Sequence, residues 1–248
     1  MLLEHPPTYT LGRRAVEDDV ISDDLERKSR GISLYKVDRG GRATYHGPGQ
    51  LVGYPIMQLG ERYDVLSYLR KLEEVLIRTA ADLGVAAVRD EQHTGVWVGT
   101  NKIGAIGVKI TRGITMHGFA FNVAPDLSMF EGIVPCGLND RWVTSVEAET
   151  GRRNTLKEVG TIAANHLAAV FGRPLVWAHP SMVMRMADAT PGKLEHPSGT
   201  ARDPRTIESH RIPDQQRDGE IRSTNGSARI PDQKRAGEIR STDIVFKR

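Results

Sequence analysis

The chain has 248 residues, 39% of them hydrophobic and 26% charged, and a net charge of +3; that length supports one sizeable core or two small ones. No apolar run approaches the ~20 residues that span a bilayer, and a charge excess this small, with aromatics at 6% and no basic stripe among them, argues against nucleic acid. One cysteine, Cys136, excludes a disulfide framework, and with no signal-peptide pattern in Met1-Leu-Leu-Glu-His-Pro-Pro a cytoplasmic setting is expected.

In chain order, Leu2–Glu4 and Thr8–Leu11 read as short extended pieces parted by Pro6-Pro7. Residues 17–30 are charged and read as an irregular surface segment. Ile32–Val37 alternates as a strand does and leads into Arg39-Gly-Gly-Arg-Ala-Thr-Tyr-His-Gly-Pro-Gly-Gln50. Gly and Pro let this loop turn tightly and approach a ligand, and the residues between them are rich in donors and acceptors. Leu51–Leu59 then reads as a strand. Asp64 suits an N-cap, and apolar residues recur at three- and four-residue steps from Val65 to Leu83, which predicts a helix ended by Gly84.

Gly95–Val98, Lys102–Ile110 and Ile114–Val123 read as an antiparallel meander turned at Gly99-Thr-Asn101 and Thr111-Arg-Gly113. Gly104 and Gly107 within its middle strand imply a bulge or a close approach. A second helix is expected over Leu156–Phe171, with a capping box at Thr155 and Glu158 and a stop at Gly172 and Pro174. From Pro180 apolar residues become too sparse for a core. Residues 211–224 recur as 229–242 with two differences. The expected organisation is a domain at 1–179 and a disordered tail at 180–248. The fold class is α/β (α+β), a mixed, largely antiparallel sheet packed by helices.

Cys136 stands in Val134-Pro-Cys-Gly-Leu138, flanking that displays a thiol at a bend. A lone cysteine is more often a small buried hydrophobe, and a catalytic one needs a group that favours the thiolate. Lys102, Lys109, His93 and His117 are candidates. Singly, Lys102 reads as a solvated hairpin lysine and His117 as a satisfied core histidine. His46 and His117 lack zinc-like spacing, so no metal is expected.

Taken together, His46-Gly-Pro-Gly-Gln50, Lys102-Ile-Gly-Ala-Ile-Gly107, His117-Gly-Phe-Ala-Phe-Asn122 and Pro135-Cys-Gly137, preceded by Glu4-His-Pro-Pro-Thr-Tyr-Thr-Leu-Gly12, resemble the lipoyl(octanoyl) transferase family. That resemblance, over residues 2–175, implies the fold shared with lipoate and biotin protein ligases. It implies that Cys136 is an acyl-thioester nucleophile and Lys102 its partner, with His117 a secondary candidate. It also implies a substrate pocket lined by Arg39, Gly40, Gly41, Arg42, Ala43, Thr44, Tyr45 and His46, by Ala105, Ile106 and Gly107, and by Gly118, Phe119 and Ala120. Backbone N–H groups near Gly118 or Gly137 are the expected oxyanion donors.

The implied donor is octanoyl-acyl carrier protein, which carries its own phosphopantetheine thioester, so no separate cofactor is expected. The implied acceptors are lipoyl domains of 2-oxoacid dehydrogenase complexes and the glycine cleavage H protein, and a monomer is expected. Members of that family usually carry about thirty further residues, a strand and a helix, before the block that begins here at Leu2, so one sheet face is expected to lack cover. The rival readings are an ATP-dependent lipoate or fatty-acid ligase, a non-catalytic acyl-binding homologue and a Cys/His hydrolase.

Overall fold

The computed structural model of the chain describes residues 1–60, 62–134, 142–178, 241–242 and 245–246. Its elements in order are β1 (Leu2–Leu3), β2 (Thr8–Leu11), α1 (Asp24–Ser29), β3 (Ser33–Lys36), β4 (Ala43–His46), β5 (Gln50–Gly53) and α2 (Val65–Asp82). These are followed by β6 (Val88–Arg89), β7 (Val96–Val98), β8 (Asn101–Thr111), β9 (Ile114–Asn122), α3 (Val146–Thr150), α4 (Leu156–Phe171), β10 (Leu175–Val176), β11 (Ser241–Thr242) and β12 (Val245–Phe246).

The main sheet runs β11-β1-β5-β9-β8-β7-β6, antiparallel throughout. Its centre is the β8–β9 hairpin, paired from Thr111↔Ile114 to Gly104↔Phe121. Arg112 (φ 52°) and Gly113 (φ 75°) form a two-residue turn with both φ positive, whose twist matches that of the strands it joins. A second sheet, β3-β2-β4, pairs β2 with β3 in parallel and with β4 antiparallel.

Helices α2 and α4 cover one face of the main sheet. Leu72, Val75, Leu76 and Ala80 of α2 meet Val159, Ala163, Ala164 and Leu167 of α4, over Leu51, Ile103 and Phe121. The predicted caps are present: the Asp64 carboxylate accepts from Leu66 and Ser67 N–H, and Thr155 and Glu158 form a reciprocal box. Among the described residues no helix is long and apolar enough to cross a membrane.

Four local expectations change. Residues 17–30 are ordered around the fully buried Asp19 and hold α1, capped by the Asp23 carboxylate. Ala43–His46 is a strand inside the stretch read as a loop, because four residues without a breaker alternate between two environments. The strand expected to Leu59 ends at Gly53, ahead of Pro55, which has no N–H to donate to a ladder. Two pieces of the tail expected to be disordered are strands: β11 pairs the outer edge of β1, and β12 pairs β10. The rest of that tail, with nearly all of the repeat, lies outside the described residues.

Candidate functional site

A cleft opens between the face of the main sheet away from α2 and α4 and the smaller sheet. It encloses about 680 Å³, part of it open to solvent. Strand alternation decides what forms its floor. Val52, Ala105, Gly107, Gly118 and Ala120 face the cleft, whereas the side chains of Ile106 and Phe119 pack toward α2 and α4 and border the cleft only at its edge. The floor is therefore made of small residues.

Its roof is the segment Arg39–Arg42, laid close on the sheet. Gly40 N–H donates to Val108 O at 2.9 Å. A Cβ on Gly107 would lie 2.9 Å from Gly40 O and 3.0 Å from Arg39 Cδ, so the glycine admits this roof. Gly104 has a different cause: a Cβ there would press on Leu76 Cδ1 at 2.9 Å, on the core side of β8. The close approach expected at both glycines thus separates into two packing requirements on opposite faces of β8.

The Arg39 guanidinium is buried and holds the roof, donating to Thr10 O (2.7 Å), Thr10 Oγ1 (2.9 Å) and Gly40 O (3.0 Å). Arg42 is tied to buried Asp19 at 2.5 Å. Tyr45, expected in the pocket, points the other way: it is 1% exposed and packs edge-on against Tyr9 and Phe130. Thr44 and His46, its neighbours on β4, face the cleft with Ala43 at its edge.

His46 is held from below. Its Nδ1 lies 2.9 Å from Gln50 Oε1, and Gln50 Nε2 donates to Tyr45 O (3.1 Å) and Asn122 Oδ1 (2.9 Å). Asn122 Nδ2 donates in turn to Thr144 O at 2.9 Å. Burial lowers the His46 pKa to about 3, although one side of the ring remains open to the cleft. An unfolded histidine takes its proton near pH 6.5. The group therefore contributes its full stability above that pH, and the contribution falls as the pH drops from about 6.5 toward 3. The expected loss is about 1.4 kcal/mol per unit, or about 2 kcal/mol by pH 5, reduced by water in the cleft. Urea midpoints at pH 7.5 and pH 5 should show it in the wild type and not in His46→Gln.

Lys102, the second residue of β8, stands at the inner end of the cleft and is 7% exposed, not a solvated hairpin lysine. Its Nζ stands 4.5 Å from the centroid of the Trp97 ring, a cation–π distance. Its Cε lies 3.3 Å from where a Cβ on Gly95 would be. Behind this packing, buried Glu73 accepts from Gly95 N–H at 3.1 Å and pairs with Arg70 at 2.8 Å. The backbone of Lys102 is clamped too: its N–H donates to Trp142 O (2.9 Å) and its carbonyl accepts from Thr144 N–H (3.0 Å).

Cys136 and Gly137 lie outside the described residues, so the sulfur has no place in this geometry. The ends of their segment do have one. Val134 N–H donates to the carbonyl of Asp19, the residue that holds Arg42, and Trp142 O accepts from Lys102 N–H.

The other candidates for a thiol partner are engaged elsewhere. His117 is at the rim rather than in the core, with φ 59°. Its Nε2 meets Asp38 Oδ1 at 2.7 Å, while Lys109 meets Asp38 Oδ2 at 2.5 Å. Lys109 and then His117 lower the Asp38 pKa to about 2, so the Asp38 carboxylate stays charged through ordinary acid conditions. His93 pairs with Asp90 at 3.1 Å.

The sequence reasoning did not single out Glu73, Trp97 or Asn122. Glu73 carries a signal in hindsight, since it is four residues after Leu69 and three before Leu76 on the buried stripe of α2. A charge there implies a partner reaching into the core.

The family model for the lipoyl protein ligase A/B catalytic domain matches residues 1–168. An octanoyltransferase of Acidothermus cellulolyticus is 50% identical over 172 residues, 67% of this chain and 75% of its own. One from Mycobacterium tuberculosis is 49% identical over 176 residues, covering 69% and 74%. Among solved structures, a lipoate-protein ligase A bound with ATP superposes with a TM-score of 0.58 at 22% identity over 69% of this chain and 71% of its own. A putative lipoate protein ligase from T. acidophilum gives 0.57 at the same identity over 69% and 70%. These neighbours share the fold. The chain belongs to the lipoyl protein ligase A/B catalytic domain family.

Proposed function

We propose that this chain is an octanoyltransferase that moves an octanoyl group from the thioester of acyl carrier protein, through a thioester on Cys136, to a lysine amine of a lipoyl domain. The observation that carries the reading is a buried lysine, Lys102, at the inner end of a small-residue cleft. Its backbone N–H donates to Trp142 O, and the chain's relatives at about half identity are octanoyltransferases.

The Lys102 ammonium favours thiolate at Cys136. The thiolate attacks the thioester carbonyl carbon, the carbon–sulfur bond to the pantetheine arm breaks, and the departing sulfur takes the proton of Lys102. Neutral Lys102 then takes a proton from the incoming lysine ammonium. The amine attacks, the bond to Cys136 breaks with its electrons returning to sulfur, and the second N–H proton leaves to solvent. The cleft floor has room for an alkyl chain, and covering six methylenes contributes about 5 kcal/mol.

Intact-protein mass spectrometry after exposure to octanoyl-acyl carrier protein tests this. One octanoyl adduct is expected on the wild type and none on Cys136→Ser, with transfer to a lipoyl domain proceeding without ATP. Product that forms only when ATP is supplied points instead to a ligase.

A further inference from the structure

The buried amides beneath β4 have their orientation forced by backbone. Tyr45 O can only accept, so the Gln50 group 3.1 Å from it is the NH₂. Thr144 O can only accept, so the Asn122 group 2.9 Å from it is likewise NH₂. Asn122 Oδ1 therefore faces Gln50 Nε2, and Gln50 Oε1 faces His46. An oxygen 2.9 Å from His46 Nδ1 requires the proton to sit on Nδ1. The remaining ring nitrogen, Nε2, then carries a lone pair. Among the described residues Nε2 has no hydrogen-bond partner, and no buried side-chain nitrogen or oxygen lacks one. Nε2 is thus at an accessible surface, on a residue that lines the cleft.

An acceptor in this position cannot stabilise an oxyanion or a thiolate, both of which need donors. Of the groups that enter the cleft during the transfer proposed above, the one that presents N–H bonds at the reacting centre is the lysine amine. We propose that His46 Nε2 accepts a hydrogen bond from the attacking amine of the acceptor lysine and aims its lone pair at the acyl carbon, with Gln50 and Asn122 as positioning residues that hold the ring in the required tautomer. Lys102 takes the proton of the incoming ammonium; His46 takes none and remains neutral throughout. Its neutrality fits its surroundings: burial is the main cause, opposed by the Gln50 hydrogen bond, and His5 from the β1–β2 connection, Arg39 from the roof and His117 from β9 add to the effect of burial. The inference rests on the octanoyltransferase reading and adds a residue that separates its two half-reactions.

The test measures loading of Cys136 from octanoyl-acyl carrier protein and discharge of the loaded enzyme to a lipoyl domain, each in a single turnover. In His46→Ala, discharge is expected to slow about 10- to 100-fold while loading changes less than about twofold. In Gln50→Leu, which keeps the ring and frees its tautomer, discharge is expected to slow by about tenfold or less. Two-bond ¹H–¹⁵N spectra of the wild type should show His46 as the Nδ1–H tautomer at pH 5 and at pH 8. Unchanged discharge, equal slowing of both steps in both variants, or an Nε2–H tautomer in the wild type overturns the proposal while leaving the reaction intact. Failure of the wild type to load at all overturns the reaction and this role with it.

Discussion

Lys102→Met is expected to reduce octanoyl transfer by about 10²- to 10⁴-fold, the usual range for losing a positioned acid–base group, while leaving the protein folded. Methionine is close to lysine in length and keeps contact with the Trp97 ring through its thioether. The backbone clamp from Trp142 and Thr144 does not involve the side chain. A buried ammonium also carries a desolvation cost that an apolar side chain avoids, so the urea midpoint should hold or rise. The loss should appear in both half-reactions, because the same nitrogen protonates the departing pantetheine sulfur and deprotonates the incoming amine. Adduct formation and discharge at wild-type rates in this variant would remove Lys102 from the chemistry. A lowered midpoint with proportionate loss of both rates would make it a packing residue.

The parts of this molecule legible in its sequence are those governed by local chemistry. Val65–Asp82 and Leu156–Phe171 announce themselves by apolar spacing and caps, and the β8–β9 hairpin by its two-residue turn. The cleft residues could be named from four motifs. What each one does there could not be read, because that depends on partners far along the chain. Arg39 holds the roof through Thr10, and Tyr45 is on the wrong face of a four-residue strand hidden between glycines. His117 meets Asp38 across 79 positions. Gln50 and Asn122, 72 positions apart, determine what His46 can offer. Such pairings follow from sheet register, and register is decided by the whole buried face rather than by any short stretch. The buried charge at Glu73 shows the same limit: its place on the stripe is local, and its ties to Gly95 and Arg70 are tertiary.

Trp97 joins stability to reactivity at one position, and its replacement separates the two. The ring is 1% exposed on β7, lies edge-on to His93 with centroids 6.2 Å apart, and donates from Nε1 to His93 O at 3.3 Å. Truncation to alanine removes a large buried volume and is expected to cost about 3–5 kcal/mol. It also takes away the π face against which the Lys102 ammonium rests, a contact worth about 2 kcal/mol when desolvated. Trp97→Phe keeps a smaller ring and should lose less of both. Trp97→Leu keeps apolar volume but no ring, so its stability should lie near that of the Phe variant while its transfer rate falls further. Urea midpoints and single-turnover rates of the three, taken at a temperature where all are folded, separate the effects. Rates that track stability alone, with Leu and Phe alike, would mean that the ring only fills space. A lower rate for Leu than for Phe at matched stability would mean that the ring's quadrupole helps hold the ammonium where the acyl group arrives.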